Sequence, residues 1–145
     1  VADEPVSMLD VSIRAGVLNL LRRLTADMGL ASLYISHDLS LIRYMCDRTA
    51  IMYLGRMVEI GPTERVIREP HHPYTQVLLA AVPSSDPEHR KAPLQIEGEV
   101  PSPIDLPTGC RFHPRCRQAV PICREEDAPR VEVGPNHFVE CHLYR

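Results

Sequence analysis

Apolar residues in the first thirty positions of the chain recur at the spacing of a helix. They are Ile13, Val17, Leu20, Leu21 and Leu24. Ser12 favours an N-cap ahead of this run, and Gly29 favours a stop behind it. Because residues three or four apart share one face of a helix, the pattern predicts an amphipathic helix.

Short elements of alternating type follow this helix. Residues 31–36 form a mostly apolar run that predicts a buried strand ending at His37, and a brief helix is predicted around Ile42. A hairpin with its turn at Gly55-Arg56 and two further helices come next. These later elements are predicted at residues 49–54, 57–60, 63–68 and 74–82. The order of the elements is typical of an α/β layer architecture.

Composition changes about halfway along the chain. Prolines are few up to Val82, whereas from Pro83 onward they are frequent and four of the five cysteines appear. This change predicts two regions of different construction. With 145 residues, the chain is long enough for one ordinary domain or for two small ones.

The overall charge argues against nucleic acid as a partner. Apolar residues make up 44% of the chain and charged residues 24%, and the formal net charge is −3. No apolar run reaches the roughly 20 residues that span a bilayer. The opening segment VADEPVSMLD lacks the basic start and apolar stretch of a signal peptide. We therefore expect a cytoplasmic chain.

Acidic residues and one histidine lie next to the predicted strands. Asp3-Glu4 stands near the start of the chain, and His37 ends the strand at 31–36. In nucleotide hydrolysis one acid can hold Mg²⁺, a neighbouring carboxylate can polarise the attacking water, and an imidazole can hydrogen-bond a terminal phosphate. Taken singly, these features have plainer explanations. They are an exposed acidic pair, an Asp10 that favours a helix N-terminus and a structural histidine.

Taken together, these residues resemble the second half of an ABC-type nucleotide-binding domain. The matching segments are DEPVSMLD and, after a helix, YISHDL. The resemblance implies specific roles at a nucleotide. By it, Asp3 is the Walker B acid of the magnesium site, Glu4 the general base, Ser7 to Asp10 the D-loop at the nucleotide interface, and His37 the switch histidine.

Three longer segments are similar to the peptide and nickel importer branch of this family. They are DVSIRAGVLNLLRRL, IMYLGRMVEIGPTERVI and HPYTQVLLAAVP. The resemblance covers nearly the whole chain and implies an ATP-binding, ATP-hydrolysing subunit that powers uptake of oligopeptides or dipeptides with ATP and Mg²⁺. The implied partners are a second ATPase subunit, transmembrane permease subunits and, indirectly, a substrate-binding protein. The implied location is the cytoplasmic face of the cell membrane.

Two motifs of this family do not occur in the sequence. There is no G-x-x-x-x-G-K-[ST] loop to cradle phosphates and no LSGGQ-like signature. We expect an α/β fold comprising an incomplete P-loop NTPase (ABC-type) nucleotide-binding domain at residues 1–70 and a small irregular cysteine-rich C-terminal extension at residues 71–145. The chain alone is expected to be inactive. The alternative function is that of a non-hydrolysing metal- or cluster-binding module with a regulatory or docking role.

Four cysteines form the second candidate site. Cys110, Cys116, Cys123 and Cys141 follow the pattern C-x5-C-x6-C-x17-C. Four thiolates can hold zinc or an iron–sulfur cluster, although structural zinc usually has ligands in closer C-x2–4-C pairs. The resemblance to oligopeptide and dipeptide importer ATPases implies a [4Fe–4S] cluster. Zinc is the alternative, incidental reduced thiols are the plainest explanation, and His113 or His142 could replace a thiolate.

Overall fold

The protein has a mixed α/β fold, seen in a computed structural model that describes residues 1–82 and 98–144. It divides into two units, Val1–Asp47 and Arg48–Arg145. Within the described ranges, none of the helices combines the length and the apolar character needed to cross a membrane.

Two short parallel strands and two helices form the first unit. Ala2 pairs with Tyr34, and Asp3 pairs with Ile35. Since parallel strands run in the same direction, the residues that follow them leave the sheet at the same edge. The elements are β1 (Ala2–Asp3), α1 (Val11–Asp27), β2 (Tyr34–Ile35) and α2 (Leu39–Met45).

A small apolar core holds the first unit together. Leu18 of α1 and the α2 residues Leu41 and Ile42 pack with Val6, which lies in the loop after β1. Fully burying a side chain of this size contributes about 1.5–3 kcal/mol. Val6 therefore anchors the loop that leads from β1 to α1. Partly buried residues complete the core: Leu9, Val17, Tyr34, Met45 and Cys46.

Helix α1 differs from the sequence prediction in its start and in its buried face. It begins at Val11, with Asp10 rather than Ser12 at the N-cap position, and its buried residue is Leu18. A helical period shows which side of a helix is apolar, but burial depends on what packs against that side. In this unit, α2 and the loop that contains Val6 cover only part of the apolar side of α1. Three of the predicted apolar positions are exposed: Ile13, Leu20 and Leu24.

The second unit is built around an antiparallel sheet with the strand order β3-β4-β6-β5. The turn between β3 and β4 contains Leu54 and Gly55, with φ values of 46° and 78°. Two positive φ values are what a tight two-residue hairpin requires. The elements of the unit are β3 (Arg48–Tyr53), β4 (Arg56–Pro62), α3 (Thr63–Arg68), α4 (Pro73–Ala80), β5 (Arg130–Gly134) and β6 (His137–Glu140).

The segment predicted to be irregular contributes two strands to this sheet. β5 and β6 form a hairpin, and β6 also pairs with β4, placing Glu59 opposite Val139 and Ile60 opposite Phe138. These strands are short, and β6 pairs with a strand far away in the sequence, so local alternation of apolar residues does not reveal them. Short 3₁₀ turns carry or flank the cysteines, at His113–Arg115, Pro121–Arg124 and His142–Tyr144.

A buried carboxylate joins β4 to the start of α4 and to β6. Glu59 and His137 are each 1% exposed, and Glu59 Oε1 lies 2.8 Å from His137 Nε2. The same carboxylate accepts the backbone N–H groups of His71 and His72, both at 2.9 Å. These donors offset the cost of burying a charge. Gly61 leaves room for the contact, because a Cβ there would come within 2.8 Å of the His137 ring.

Candidate functional site

The first candidate site lies where β1 and β2 end. The Ala2 N–H donates to the Leu33 carbonyl at 2.8 Å, and the Glu4 N–H donates to the Ile35 carbonyl at 2.9 Å. This parallel pairing brings Glu4 beside His37. Glu4 has a φ of 45°, a conformation that is uncommon outside glycine and that often marks functional loops.

Glu4 and His37 are in direct contact. His37 Nδ1 lies 2.7 Å from Glu4 Oε1, and the His37 backbone N–H donates to the same oxygen at 3.1 Å. Ser36 Oγ donates to Glu4 Oε2 at 3.5 Å. The hydrogen bond with the His37 side chain is the main cause that lowers the pKa of Glu4, so Glu4 is ionised at neutral pH. The His37 side chain is 82% exposed, which leaves its other ring edge open to a ligand.

The loop after Glu4 is held by short contacts to its own backbone. The Ser7 N–H and Oγ both donate to the Glu4 carbonyl, at 3.2 and 3.0 Å. Asp10 occupies the N-cap position of α1 but makes no side-chain capping bond, and it is exposed. Asp3 is also exposed, on β1. The structure thus holds Glu4, Ser7 and Asp10 in one ordered loop, while the roles of these residues and of Asp3 at a nucleotide stay predictions.

Ser36 and Asp38 belong to this site although the motifs above do not single them out. Ser36 Oγ accepts the Asp38 N–H at 3.1 Å, and Asp38 Oδ1 accepts the N–H groups of Ser40 and Leu41 at 2.9 and 3.3 Å. An aspartate directly before a helix is a common N-cap, so a sequence signal for Asp38 exists. The contact between Ser36 and Glu4 depends on strand pairing and has no such signal.

The four predicted cysteines form a group in the second unit. Cys110 and Cys123 lie on neighbouring loops, since the Cys110 N–H donates to the Cys123 carbonyl at 2.9 Å. Burial is the main cause that raises the pKa of Cys110, Cys116 and Cys141, the last to about 11. Negative charge on any of the other three cysteines would raise the pKa of Cys141 further. All four are therefore within electrostatic reach of one another.

A metal site at the cysteine group would need ligands that converge on one point. Among residues 1–82 and 98–144, no three His, Cys, Asp or Glu side chains converge closely enough to hold a metal ion. His113 and His142, the two predicted substitutes, each place one ring nitrogen 3.0 Å from a backbone carbonyl. The predicted cluster therefore finds no support in the ligand geometry.

Comparison with known proteins connects the two sites to one family. Residues 58–123 match the family described as the oligopeptide/dipeptide transporter, C-terminal region. AppF of Bacillus subtilis (strain 168), an oligopeptide transport ATP-binding protein, is 47% identical over 99% of this chain and 44% of its own length. YkfD of the same organism, also named for oligopeptide transport and ATP binding, is 48% identical over 100% of this chain and 45% of its own length. The peptide ABC transporter ATP-binding protein y4tS of Sinorhizobium fredii is 48% identical over 99% of this chain and 40% of its own length.

These similarities extend over almost every residue of the chain, from the acidic loop to the last cysteine. The chain spans less than half the length of each of these relatives. The chain therefore belongs to the family of oligopeptide and dipeptide ABC transporter ATP-binding proteins, of which it matches the C-terminal part.

Proposed function

We propose that this chain is part of an ATP-hydrolysing subunit of an ABC importer for oligopeptides or dipeptides. The contact between Glu4 and His37, at the ends of two parallel strands, carries this proposal. The edge at which parallel strands end is where α/β proteins commonly bind ligands. The names of the relatives, which refer to ATP binding and to peptide transport, support the substrate class.

In this proposal, the acids and the histidine have different tasks. Asp3 holds the Mg²⁺ of the bound nucleotide, and Glu4 accepts a proton from the water that attacks the γ-phosphorus as the bond to ADP breaks. The lowered pKa keeps Glu4 in the basic form that this step requires. His37 donates from Nε2 to a γ-phosphate oxygen while Nδ1 stays in contact with Glu4.

Much of the nucleotide site would come from outside this chain. The sequence has no G-x-x-x-x-G-K-[ST] loop and no LSGGQ-like signature, so we expect the 145 residues alone to be inactive. Residues 1–70 would belong to the nucleotide-binding domain and residues 71–145 to the cysteine-rich extension. Ser7 to Asp10 would face a second ATPase subunit. Transmembrane permease subunits and a substrate-binding protein would complete the importer at the cytoplasmic face of the membrane.

Substitution of Glu4 tests the proposed chemistry. In the complete ATP-binding subunit, Glu4→Gln should lower kcat by about 10²–10⁴-fold, because the amide cannot accept the proton. ATP binding, measured by equilibrium titration, should be retained. Glu64→Gln is the matched control, since it removes a carboxylate from an exposed pair with Arg68 that contributes little. Hydrolysis at the wild-type rate in Glu4→Gln would show that Glu4 is not the base.

A non-hydrolysing binding module is the alternative function. ATP titration of the 145-residue chain separates the two, because we expect no tight binding without a phosphate-cradling loop. Tight ATP binding by this chain alone would contradict our account of the nucleotide site.

For the cysteine group we propose a [4Fe–4S] cluster, with zinc as the alternative metal. Support comes from four thiols that lie within electrostatic reach of one another, in a segment that partly overlaps the family match at residues 58–123. The observed thiols would have to close around the metal and lose their protons, so binding would stabilise the folded state and release protons.

Anaerobic purification tests this cofactor assignment. We expect a brown protein that contains iron and sulfide in equal amounts, and loss of both in Cys123→Ser. Cys46→Ser is the matched control, because Cys46 packs in the core of the other unit. A folded, colourless protein without iron but with zinc would favour the alternative, and one without any metal would contradict both.

A further inference from the structure

Arg14 of α1 contacts two loops of the first unit at once. Its Nη2 donates to the Leu9 carbonyl at 3.2 Å, and its Nη1 lies 4.0 Å from Asp38 Oδ2. Leu9 lies in the loop that contains Ser7 and Asp10, whereas Asp38 begins α2 beside His37. The first contact is a hydrogen bond and the second is a longer ion pair, and one guanidinium makes both.

Asp38 carries this connection toward the Glu4 carboxylate. Its Oδ1 caps α2, which leaves Oδ2 on the side of Arg14. Its backbone N–H donates to Ser36 Oγ at 3.1 Å, and that hydroxyl donates to Glu4 Oε2 at 3.5 Å. A continuous series of polar contacts therefore runs from the Leu9 carbonyl through Arg14, Asp38 and Ser36 to Glu4.

A contribution to folding stability does not explain why the Arg14 side chain is held in this position. The side chains of Arg14 and Asp38 are 34% and 39% exposed, and ion pairs of this kind contribute little to folding. A cation near the N-terminal end of a helix also gains nothing from the helix dipole. Within the described residues, Arg14 Nε is buried without a hydrogen-bond partner, so ordering this side chain carries a cost.

We propose that Arg14 is a positioning residue that couples the Ser7–Asp10 loop to the Glu4–His37 pair. This inference rests on the proposed function, in which that loop faces a second subunit and Glu4 activates water. When the loop is seated at the interface, Arg14 and Asp38 hold the strand-end residues in place, and Ser36 fixes the free oxygen of the Glu4 carboxylate. Arg14 itself touches neither nucleotide nor water.

The test is ATP hydrolysis by the complete subunit carrying Arg14→Met, which keeps an unbranched apolar stem and removes the donors of the side chain. We expect kcat to fall about tenfold or more, because small displacements of catalytic groups are costly, while KM for ATP stays within about twofold. Arg23→Met, on an exposed part of the same helix, should retain the wild-type kcat. Equal kcat in the two variants would overturn the inference.

A double-mutant cycle with Asp38→Asn tests the coupling directly. Asparagine keeps an acceptor for capping α2 and removes the charge that faces Arg14. If the two residues act through one connection, the double variant should be no slower than the slower single variant. Fold-changes in kcat that simply multiply would mean that Arg14 and Asp38 act independently, which contradicts the inference.

Two further variants keep the outcome unambiguous. If Arg14→Met does not fold, Arg14→Lys is measured instead. A lysine has a single ammonium and cannot contact the Leu9 carbonyl and Asp38 through two separate nitrogens. A reduced kcat with unchanged KM supports the inference, and a wild-type kcat overturns it. Glu4→Gln is measured in parallel. Hydrolysis that survives Glu4→Gln refutes the proposed role of Glu4 as base, on which this inference rests. Loss of hydrolysis in Glu4→Gln with no effect of Arg14→Met refutes only the role of Arg14.

Discussion

At the scale of single residues, Glu4 is held in an unfavourable backbone conformation by groups that follow it by some thirty positions. Its N–H donates to Ile35, and its carboxylate accepts the backbone N–H of His37. A positive φ at a residue with a Cβ costs free energy and persists only where the surroundings impose it. The motif DEP locates Glu4 in the sequence, but only the paired strands explain its conformation.

His72, a single buried residue, makes the stability of the folded protein depend on pH. It is 1% exposed, and burial lowers its pKa to about 4. In the unfolded chain the pKa is near its ordinary value of about 6.5, so between these values the unfolded state binds a proton that the folded state does not. Stability contributed by neutral His72 is therefore full above about pH 6.5 and is lost as the pH falls toward 4, on the order of 3 kcal/mol in total.

His72→Asn tests this assignment. Asparagine can still accept the Tyr74 N–H that His72 Nδ1 accepts at 3.1 Å, but it does not titrate. We expect the variant to be less stable at pH 7.5 because of lost packing, and its disadvantage to shrink as the pH falls to 4.5. Urea unfolding followed by circular dichroism at several pH values measures the difference. Parallel pH profiles for the two proteins would exclude His72 as the titrating group.

At the scale of elements, local signals located α3 and the β3–β4 hairpin, which depend on their neighbours in the sequence. Helix α3 has the predicted bounds, and the β3–β4 hairpin turns at Leu54 and Gly55, one residue from the predicted position. Caps, turns and alternation are local properties, so they can be read from a short segment. Strands β5 and β6 escaped prediction because β6 pairs with the remote strand β4 and the alternation of apolar residues in both strands is brief.

Gly109 provides a prediction at this scale, because it sets the approach of the Cys110 loop to the Cys123 loop. It has a φ of 64°, and a Cβ would come within 2.6 Å of the Cys123 carbonyl oxygen and 3.0 Å of two atoms of Arg124 and Glu126. These are backbone atoms that cannot move aside cheaply. Gly109→Ala should therefore lower the free energy of unfolding by about 2–5 kcal/mol, combining backbone strain with overpacking.

Gly98→Ala is the matched control for this prediction. Gly98 also has a positive φ, of 72°, but an added Cβ meets nothing within 4 Å. Gly98→Ala should therefore lower the free energy of unfolding only by the conformational cost of about 1–2 kcal/mol. Thermal unfolding of both variants measures the contrast. An equal loss of stability would mean that the loops can separate to admit a methyl group.

At the scale of the whole molecule, the segment that bears the four cysteines shares a sheet and a core with the β3–β4 hairpin. The Phe112 ring lies 5.2 Å from Tyr53 and 5.4 Å from Tyr74. Arg56 of β4 contacts Asp127 and Glu140 at 2.7 and 2.9 Å. Changes that displace the cysteine loops should therefore also disturb the packing of β3 and β4. The division of the chain at residue 70 stays a prediction.

The sequence by itself indicated the family, through its resemblance to known members, and located the acidic loop, the histidine and the four cysteines, because these are residue types at fixed positions along the chain. Tertiary structure decided which side chains meet. Parallel pairing of β1 with β2 joins Glu4 to His37 and allows Arg14 and Ser36 to bridge neighbouring loops. Pairing of β4 with β6 buries Glu59 against His137. Contacts of this kind depend on the pairing of distant segments, and no local pattern records which segments will pair.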